Sequence, residues 1–291
     1  MNAVHDPYTF TFRAEAGGGG AGPAQYSTLL RVDGARGRAL LLLNRHNGDT
    51  VRRPIGLFAT TLSPVETSQL AAVIDAVRWA ELPRPEGGDV SAAMLGLDYA
   101  RGGRIVQRRF NARNHALIEA LAPLMSAVDE LSSTLLTEPR RAIDVSLQRT
   151  GRGFTLTLRN VGTGPVMLAD PRALGRASIA VAPDVRPTPG RFSPMPTFLP
   201  VPLEAPAAPG TSISLAAGQT CDMDSVAWAA PAAGSYVAQG SWKDYAGPAA
   251  EPDALLPALP DGEDVDSDPR AYPLRGAAFS GYVHFTAEKR R

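Results

Sequence analysis

The sequence is poor in the residues that form cross-links and metal centres. Cys221 is the only cysteine, so a disulfide within the chain is excluded. None of the four histidines lies two or four residues from another, which argues against a local zinc motif. The serine-nucleophile motifs G-x-S-x-G and S-x-x-K do not occur. We therefore expect no catalytic or metal site of the kind that short motifs reveal, and only an enzyme site built from scattered residues stays open.

An excess of charge of one sign is also missing. The 29 basic and 29 acidic residues cancel, and residues 1–139 contain 14 of each. A nucleic-acid-binding protein normally carries a basic excess, so the composition argues against that class. Only Lys243 and Lys289 are lysines. Together with the abundant Ala, Gly and Pro, this preference for arginine indicates a GC-rich bacterial coding sequence rather than selection for phosphate binding.

Long apolar runs are absent as well. The longest aliphatic run, Ala39 to Leu43, is far too short to span a bilayer. The first ten residues, MNAVHDPYTF, lack the basic and apolar regions of a secretion signal. With 44% hydrophobic residues over 291 positions, the chain has the composition and length of a globular protein with two cores. We predict a cytoplasmic protein that needs no cofactor.

Residues 1–139 are predicted to form an α+β domain. Its strongest local signal is Ser63-Pro64-Val65-Glu66, in which Ser63 is an N-cap and Glu66 completes a capping box. The helix that follows is expected to end near Ala80. A second helix is expected from Asn114 to Leu135, and Pro123 should kink it or divide it in two. Alternating patterns predict strands before the first helix, and Gly102-Gly103 predicts a hairpin between the two helices.

Residues 140–291 are predicted to form an all-β, immunoglobulin-like antiparallel sandwich, because helical periodicity ends at Leu136. The segment FTLTLRNVGTGPVML, residues 154–168, has the pattern of a strand, a turn and a second strand. Residues 233–236 resemble the approach to strand F of such domains, where a tyrosine forms the corner, but Ala238 stands where the usual cysteine would be. Residues 138–141 are expected to be a short polar junction. Further strands are expected at 143–147, 178–182, 212–215, 221–228, 236–242 and 279–286, with Phe279, Val283 and Phe285 on one face.

Two proline-rich insertions interrupt the predicted sandwich. Residues 183–209 contain nine prolines. Residues 246–273 contain six prolines, and seven acidic residues fall between Glu251 and Asp268. Loops of this length are usually functional or disordered. The sequence therefore predicts two long proline-rich loops on an otherwise closed sandwich.

Three segments are candidates for binding a protein partner. The proline-rich insertion is favoured, because proline limits the conformational freedom that binding must remove. The glycine-rich loop 17–22 allows close backbone approach, and the arginine-rich hairpin 101–113 suits an acidic partner. The candidate residues are Arg191, Phe192, Met195 and Phe198 in the insertion, Gly18 and Gly19 in the glycine-rich loop, and Arg104, Arg108 and Arg109 in the hairpin.

Other patterns resemble sites but favour structural explanations. Gly17, Gly19 and Gly22 match G-x-G-x-x-G, yet Pro23 and a predicted strand follow where a dinucleotide site needs a helix. The acidic residues at 264–268 resemble the start of a calcium loop but lack its glycine and closing glutamate. A loose hairpin loop and a solvated acidic loop are the favoured interpretations.

Cys221 is predicted to be a small strand residue rather than a nucleophile. Asp222 and Asp224 follow it closely, and their negative charges should raise the pKa of the thiol. A raised pKa lowers the thiolate fraction at neutral pH, and the thiolate is the nucleophile.

Each half of the sequence resembles a family of bacterial peptidase inhibitors. Residues 8–136 resemble emfourin-type metallopeptidase inhibitors in the glycine loop, in SPVETSQLAAVIDAVRWAELP, in LGLDYARGGRIVQRRF and in ALIEALAPLMSAVDEL. Residues 142–286 resemble bacterial intracellular proteinase-inhibitor domains of immunoglobulin-like fold in LTLRNVGTGPVML, LAAGQTCDM and GSYVAQGSW. These resemblances imply peptidase inhibition, and the two long insertions depart from the second pattern.

The sequence thus predicts a non-enzymatic protein-binding protein, with a bacterial peptidase as the first expected partner. A second hypothesis is an immunity or adaptor protein for a toxin or a secretion component. The competing class is a hydrolase whose site is assembled from scattered residues. No nucleic acid and no membrane is expected as a partner.

Overall fold

The computed structural model of the protein describes residues 7–16, 25–44, 54–82, 94–111, 114–174, 178–185, 197–244 and 272–288. In these ranges the chain is mostly antiparallel β-sheet and contains three α-helices. The chain divides into two compact units. Of the described residues, unit 1 contains 7–16, 25–44, 56–82, 94–111 and 114–140, and unit 2 contains 54–55, 141–174, 178–185, 197–244 and 272–288.

Unit 1 combines six antiparallel strands with the three helices. The elements are β1 (Tyr8–Ala16), β2 (Gln25–Asp33), β3 (Arg38–Leu43), β4 (Ile55–Thr61), α1 (Pro64–Ala76), β5 (Met94–Arg101), β6 (Arg104–Asn111), α2 (His115–Ala120) and α3 (Ala122–Leu135). The strands are hydrogen-bonded in the order β4-β3-β2-β1-β5-β6. All five residues from Ala39 to Leu43 are buried, and since alternate residues face opposite sides, both faces of β3 are covered.

The start of α1 confirms the predicted capping box. The Ser63 hydroxyl accepts a hydrogen bond from the Glu66 amide at 3.2 Å, and the Glu66 carboxylate accepts one from the Ser63 amide at 2.7 Å. The predicted end near Ala80 is wrong, because the helix ends at Ala76. The Trp79 indole donates to the carbonyl oxygen of Ile74 at 3.1 Å, and this bond satisfies a carbonyl of the last turn.

The second predicted helix is divided in two near Pro123, whereas a kink was the other expected effect of this proline. α2 ends at Ala120, and Pro123 lies in the first turn of α3, where its missing N–H costs no helical hydrogen bond. The Asn114 side chain accepts a hydrogen bond from the Leu117 amide at 3.1 Å, which caps α2. The predicted Gly102-Gly103 hairpin is also present, with φ of 53° and 79°.

The described residues of unit 2 form strands and one short 3-10 turn. The elements are β7 (Pro139–Thr150, which begins in unit 1), β8 (Gly153–Asn160), β9 (Val166–Ala169), the 3-10 turn Pro171–Ala173, β10 (Ile179–Pro183), β11 (Leu199–Val201), β12 (Ser212–Leu215), β13 (Thr220–Asp224), β14 (Gly234–Asp244), β15 (Tyr272–Pro273), β16 (Gly276–Phe279) and β17 (Val283–Ala287). β8 lies between β7 and β13, β9 lies between β12 and β15, and β11-β10-β14-β16 form a further sheet in which β17 also pairs with β14.

The segment 154–168 forms the predicted strand, turn and strand. Asn160 ends β8 and is fully buried. Its side-chain amide donates to the carbonyl oxygens of Gly164 and Leu215, both at 2.9 Å, and its side-chain oxygen accepts from the Gly162 amide at 2.9 Å. One side chain therefore fixes the turn and attaches it to β12.

The polar junction predicted at residues 138–141 is wrong, because β7 already begins at Pro139. Arg141 is buried, and its guanidinium donates to the Pro165 carbonyl at 3.0 Å. A Cβ atom at Gly164 would lie 2.2 Å from the Arg141 guanidinium carbon, so the glycine makes room for this contact. A charged residue is thus built into the strand rather than exposed in a linker.

The segment 279–286, which was predicted as one strand, belongs to two strands. Phe279 does not lie on one face with Val283 and Phe285, so that part of the prediction is wrong. The amide of Ser280 donates to the Gly240 carbonyl at 2.9 Å where β16 ends, and β17 starts at Val283. Phe279 is opposite Ser241, on the face away from the buried Trp242, and the Lys243 ammonium lies 5.0 Å from its ring centroid. The strand expected at 221–228 is also shorter, because β13 ends at Asp224.

The first proline-rich insertion is not entirely a loop. β11 lies within it and pairs with β10, and Val201 in β11 is buried. The Pro202 carbonyl accepts from the Val226 amide at 3.0 Å, and the Glu204 amide donates to Asp224 at 2.7 Å. Residues 199–204 are therefore part of the folded unit and cannot be removed at modest cost.

Tyr236 combines a local hydrogen bond with packing in the core. The Tyr236 hydroxyl donates to the carbonyl oxygen of Ala232 at 2.7 Å. Its ring packs in the core with Trp228, Phe285 and Phe154, at centroid separations of 5.0 to 6.4 Å within the cluster. These aromatic residues therefore fill the core of unit 2 rather than a binding surface.

Candidate partner-binding surfaces

The candidate residues of the sequence fall into two groups. Arg191, Phe192, Met195, Gly18 and Gly19 lie outside the described residues. Phe198, at the start of β11, and Arg104, Arg108 and Arg109, on β6, are described and exposed. The structure thus locates one residue of the proline-rich insertion and the arginine-rich hairpin.

Phe198 belongs to one face of the β11-β10-β14-β17 sheet, which we call the outer face. The pairing register places Ala182 beside Val237 and Val237 beside His284. Phe198 precedes Leu199, the partner of Val181, so it alternates onto the same side as Ala182. The opposite side carries core residues such as Val181 and Ala238, and Ala182 and Val237 in the middle of the outer face are buried as well. The outer face therefore has exposed Phe198 at one border, and exposed Tyr282 and His284 at the other.

The outer face also contains a hydrogen-bonded His–Asp pair that joins distant parts of the chain. His284 Nδ1 lies 2.9 Å from a carboxylate oxygen of Asp184, 100 residues away in sequence. The Asp184 amide donates to the Ser235 carbonyl at 2.9 Å, which holds Asp184 beside β14. Sequence analysis missed this pair, because only the order β10-β14-β17 brings the two residues together. No local motif signals it.

The His284–Asp184 pair resembles two members of a hydrolytic triad, but its surroundings differ from those of such a site. Ser235 lies on the same face, yet within the described residues its hydroxyl makes no hydrogen bond to His284. A triad nucleophile needs such a bond to its base. The His284 side chain is also 61% exposed, so water is not excluded from it. The geometry favours a hydrogen-bonded pair at the surface over a catalytic site.

Exposed apolar residues concentrate at the end of the β10–β11 hairpin. The described residues include eight exposed large hydrophobic side chains, namely Val65, Ile105, Met167, Val185, Phe198, Leu199, Val226 and Tyr282. Three of them, Val185, Phe198 and Leu199, flank the segment 186–197 that joins β10 to β11. Phe198 and Leu199 point to opposite sides of this edge strand. One face of a strand cannot bury two adjacent residues. The adjacent pair Phe198-Leu199 could therefore have indicated an exposed apolar residue from the sequence alone.

The arginine-rich hairpin is anchored to α1 at its base. The Tyr99 hydroxyl donates to the Asp75 carboxylate at 2.7 Å, and the Arg101 guanidinium donates to the same carboxylate. Burial raises the pKa of Tyr99, the hydrogen bond to Asp75 adds to this, and Arg101 opposes it. Arg101 therefore serves the fold rather than an open surface.

The remaining described arginines of the hairpin lie on β6. Arg108 bends back onto unit 1, where its guanidinium donates to the Trp79 carbonyl at 3.2 Å. Arg104 and Arg109 are exposed, and within the described part of the chain neither forms an ion pair. Two guanidinium groups thus remain available to a partner, on opposite sides of the strand.

Cys221 has the predicted raised pKa, but mainly for a different reason. Burial is the largest cause, Arg172 opposes it, and Asp170 and Asp222 add to it. The Arg172 guanidinium forms two hydrogen bonds to fully buried Asp170, at 2.7 and 3.0 Å. Burial alone would raise the pKa of Asp170, but the hydrogen bonds from Arg172 outweigh it and hold that pKa below its ordinary value. The Asp170–Arg172 pair thus has a structural role.

The described clefts are small and open. The cleft of about 260 Å³ between α1 and α3 is bordered by Glu66 and Glu130 and floored by Leu70 and Leu131. A second, of about 340 Å³, lies at the end of α1 beside Val77. Within the described residues, no three His, Cys, Asp or Glu side chains are grouped closely enough to hold a metal ion. The outer face and β6 remain the best-defined candidate surfaces.

Comparison with known proteins assigns no family to the chain. No family model matches it, and no curated protein matches it either. In the described ranges, no helix has the length and apolar character required to cross a membrane.

Proposed function

We propose that this protein is a non-enzymatic protein-binding protein, with a bacterial peptidase as its first expected partner. The proposal includes an α+β fold for unit 1 and an immunoglobulin-like sandwich for unit 2. The Tyr236–Ala232 hydrogen bond supports the sandwich, because a corner tyrosine bonded to the backbone a few residues upstream is a feature of such domains. The resemblance of each half to peptidase inhibitors gives the first expected partner.

The observation that carries the proposal is the group of exposed side chains on and beside the outer face. Phe198 and Tyr282 are 36% and 37% exposed on this face, and Leu199 is 46% exposed at its edge. Unit 2 already has an extensive core, which includes fully buried Trp242, so these residues are not needed to complete it. Aromatic side chains at a surface are typical anchors of protein interfaces.

The chemistry of the outer face favours a binding function over hydrolysis. His284 and Asp184 are the best-placed acid–base pair, and the site around them lacks a hydrogen-bonded nucleophile in the described residues. Cys221, the other possible nucleophile, has a raised pKa, which disfavours its thiolate. An exposed, hydrogen-bonded His–Asp pair on the same face as exposed aromatic residues suits the polar part of an interface.

The test is an inhibition assay with purified protein and a panel of bacterial metallopeptidases and serine peptidases. We expect tight inhibition of at least one peptidase by the intact chain. The double substitution Phe198→Ser and Tyr282→Ser should weaken that inhibition by at least about tenfold, or roughly 1.4 kcal/mol. Both side chains are partly exposed, so the variant should stay folded, which circular dichroism checks.

The control is Val226→Ser, which changes a residue of unit 2 that is 39% exposed. This variant should inhibit as well as the unaltered chain. An equal loss of inhibition in both variants would show that the outer face is not the binding surface. Absence of inhibition, with capture of a toxin or secretion component instead, would favour the immunity or adaptor hypothesis. Turnover that survives repurification and is abolished by His284→Ala would favour the hydrolase.

A further inference from the structure

We propose that the outer edge of β6 binds an acidic, extended segment of a partner protein by adding it to the sheet as a further strand. This surface belongs to unit 1 and does not depend on the outer face of unit 2. β6 is the last strand in the order β4-β3-β2-β1-β5-β6, and no other described strand pairs with its outer side. An unpaired edge is a template for strand addition.

The turn fixes which backbone groups of β6 face outward. Gly102 and Gly103 form a two-residue turn, so Arg101 and Arg104 are a hydrogen-bonded pair. Hydrogen-bonded pairs alternate along antiparallel strands. The backbone groups of Val106 and Arg108 therefore also point toward β5, and those of Ile105, Gln107 and Arg109 point away. The edge thus offers three successive donor and acceptor pairs to an added strand.

This edge is open to solvent. Arg104, Ile105, Gln107, Arg108 and Arg109 are all exposed. Ile105 is 74% exposed, the highest value for any large hydrophobic residue in the described ranges. The Gln107 carbonyl accepts a weak hydrogen bond from the Arg108 guanidinium at 3.3 Å. A bond of this length in solvent is readily exchanged for one from an added strand.

The side chains specify the chemistry of the occupant. Ile105, Gln107 and Arg109 alternate onto one face of β6, and Arg104 and Arg108 onto the other. An antiparallel strand would place its residues directly opposite these side chains, where opposite charges and apolar pairs stabilise the sheet. The matching segment is acidic opposite Arg109 and Arg104 and apolar opposite Ile105. A carboxylate opposite exposed Arg108 can replace the Trp79 carbonyl as the acceptor of its guanidinium.

A protein segment fits this edge better than a nucleic acid does. Single-stranded nucleic acids are bound by basic grooves that also present aromatic stacking surfaces. On this hairpin Tyr99 and Phe110 are buried, and the exposed apolar side chain is the aliphatic Ile105. The unpaired backbone groups are useful to a peptide, whose own backbone complements them.

The probe is a fluorescein-labelled hexapeptide that reads glutamate, glutamate, threonine, threonine, valine, glutamate, and its binding to the full chain is followed by fluorescence anisotropy. In antiparallel register its first residue is opposite Arg109, and its last is opposite Arg104. Backbone N-methylation of its third and fifth residues removes donors that face β6. Methylation of the second and fourth removes donors that face away. We expect at least about tenfold weaker binding from the first pair and less than about twofold from the second.

Substitutions in the protein give a second, independent readout. Gln107→Pro removes an outward N–H, which an edge strand tolerates, and Gln107→Ala keeps it. Only the proline variant should lose the peptide, by at least about tenfold. If both methylated peptides bind alike, or both variants bind alike, strand addition is wrong. If a single-stranded oligonucleotide displaces the peptide at a lower concentration than unlabelled peptide does, the edge is a nucleic-acid site instead. The amide spectrum of β1 to β4 should be unchanged in the proline variant, and this confirms that the variant is folded.

Discussion

The helix caps of unit 1 and the buried turn of unit 2 differ in how far along the chain their polar side chains reach for partners. In unit 1, the Ser63–Glu66 and Asn114–Leu117 hydrogen bonds each join residues three positions apart. In unit 2, Asn160 bonds to Leu215 across 55 positions, and Arg149 bonds to the Thr286 carbonyl across 137. Helix caps are local by geometry, whereas strands of a sheet are joined from distant segments. Only the local hydrogen bonds can be recognised from the spacing of residues in the sequence.

The difference also has an energetic consequence. A helix cap at the surface contributes about 1 kcal/mol, because water can replace the lost side chain. A buried polar side chain leaves its partners unsatisfied when it is removed, and each unsatisfied group costs about 1–3 kcal/mol. Substitution of buried Asn160 in unit 2 should therefore be more destabilising than substitution of a surface helix cap in unit 1.

The largest effect is expected for Asn160→Ala. The substitution removes three hydrogen bonds at a fully buried position and leaves the Gly162 amide and two carbonyl groups without their partner. We expect the free energy of unfolding to fall by about 3–4 kcal/mol. The neighbouring Arg159 is exposed, so Arg159→Ala should change the value by less than about 0.5 kcal/mol.

Tryptophan labels allow the effect to be assigned to a unit. Trp79 lies in unit 1, and Trp228 and Trp242 lie in unit 2. Urea unfolding of protein containing fluorotryptophan, followed by ¹⁹F NMR, reports on each position separately. Asn160→Ala should lower the midpoint of the Trp242 signal. A loss no larger than that of Arg159→Ala would show that water satisfies the turn, and the energetic contrast between the units would fail.

The next effect is expected for Arg172→Met, which removes the partner of buried Asp170. We expect a loss of about 2 kcal/mol at neutral pH, because a buried carboxylate keeps its charge without the hydrogen bonds that stabilise it. The methionine preserves much of the apolar volume of the side chain. The control, Arg172→Lys, keeps the charge but cannot form both hydrogen bonds, and should retain part of the stability.

The pH dependence of this pair has a definite sign. The pKa of Asp170 is lower in the folded protein than its ordinary value of about 3.9. The pair therefore stabilises the fold above that value, and its contribution is lost as the pH falls through the folded pKa. In Arg172→Met the backbone amide of residue 172 still donates to Asp170, but the hydrogen bonds and the charge of the guanidinium are lost, so the pKa should rise and this acid-induced loss should become smaller. Denaturant midpoints between pH 2 and pH 6 measure the difference, and parallel curves for the two proteins would contradict it.

The same contrast explains which features could be predicted from sequence. The capping box at Ser63, the break before Pro123 and the Gly102-Gly103 turn each depend on adjacent residues, and all were predicted correctly. The end of α1 was not, because the bond from the Trp79 indole to Ile74 depends on where a side chain folds back. Element starts with a capping motif are therefore more predictable than element ends.

In unit 2 the incorrect predictions concern long-range partners. β11 contains Pro200 and lies between Pro196 and Pro202, so its composition indicates a loop, yet pairing with β10 makes it a strand. Arg141 looks like a linker residue and is buried against Gly164. The His284–Asp184 pair requires three strands to be ordered first. The candidate surfaces were therefore recognisable as segments, while their geometry depended on pairings that spacing does not encode.

The smallest effect is expected for Ser63→Ala, which breaks the capping box of α1. The substitution removes one surface hydrogen bond to the Glu66 amide, so we expect a loss of about 1 kcal/mol in the free energy of unfolding, seen at Trp79. Hydrogen bonds from the Ser63 hydroxyl and amide lower the pKa of Glu66, and loss of the hydroxyl should raise it toward its ordinary value. Carboxyl NMR titration measures this, and Ser63→Thr, which keeps a hydroxyl, should leave the pKa low. A loss at Trp79 as large as that of Asn160→Ala at Trp242 would mean that local and distant polar bonds stabilise this protein equally.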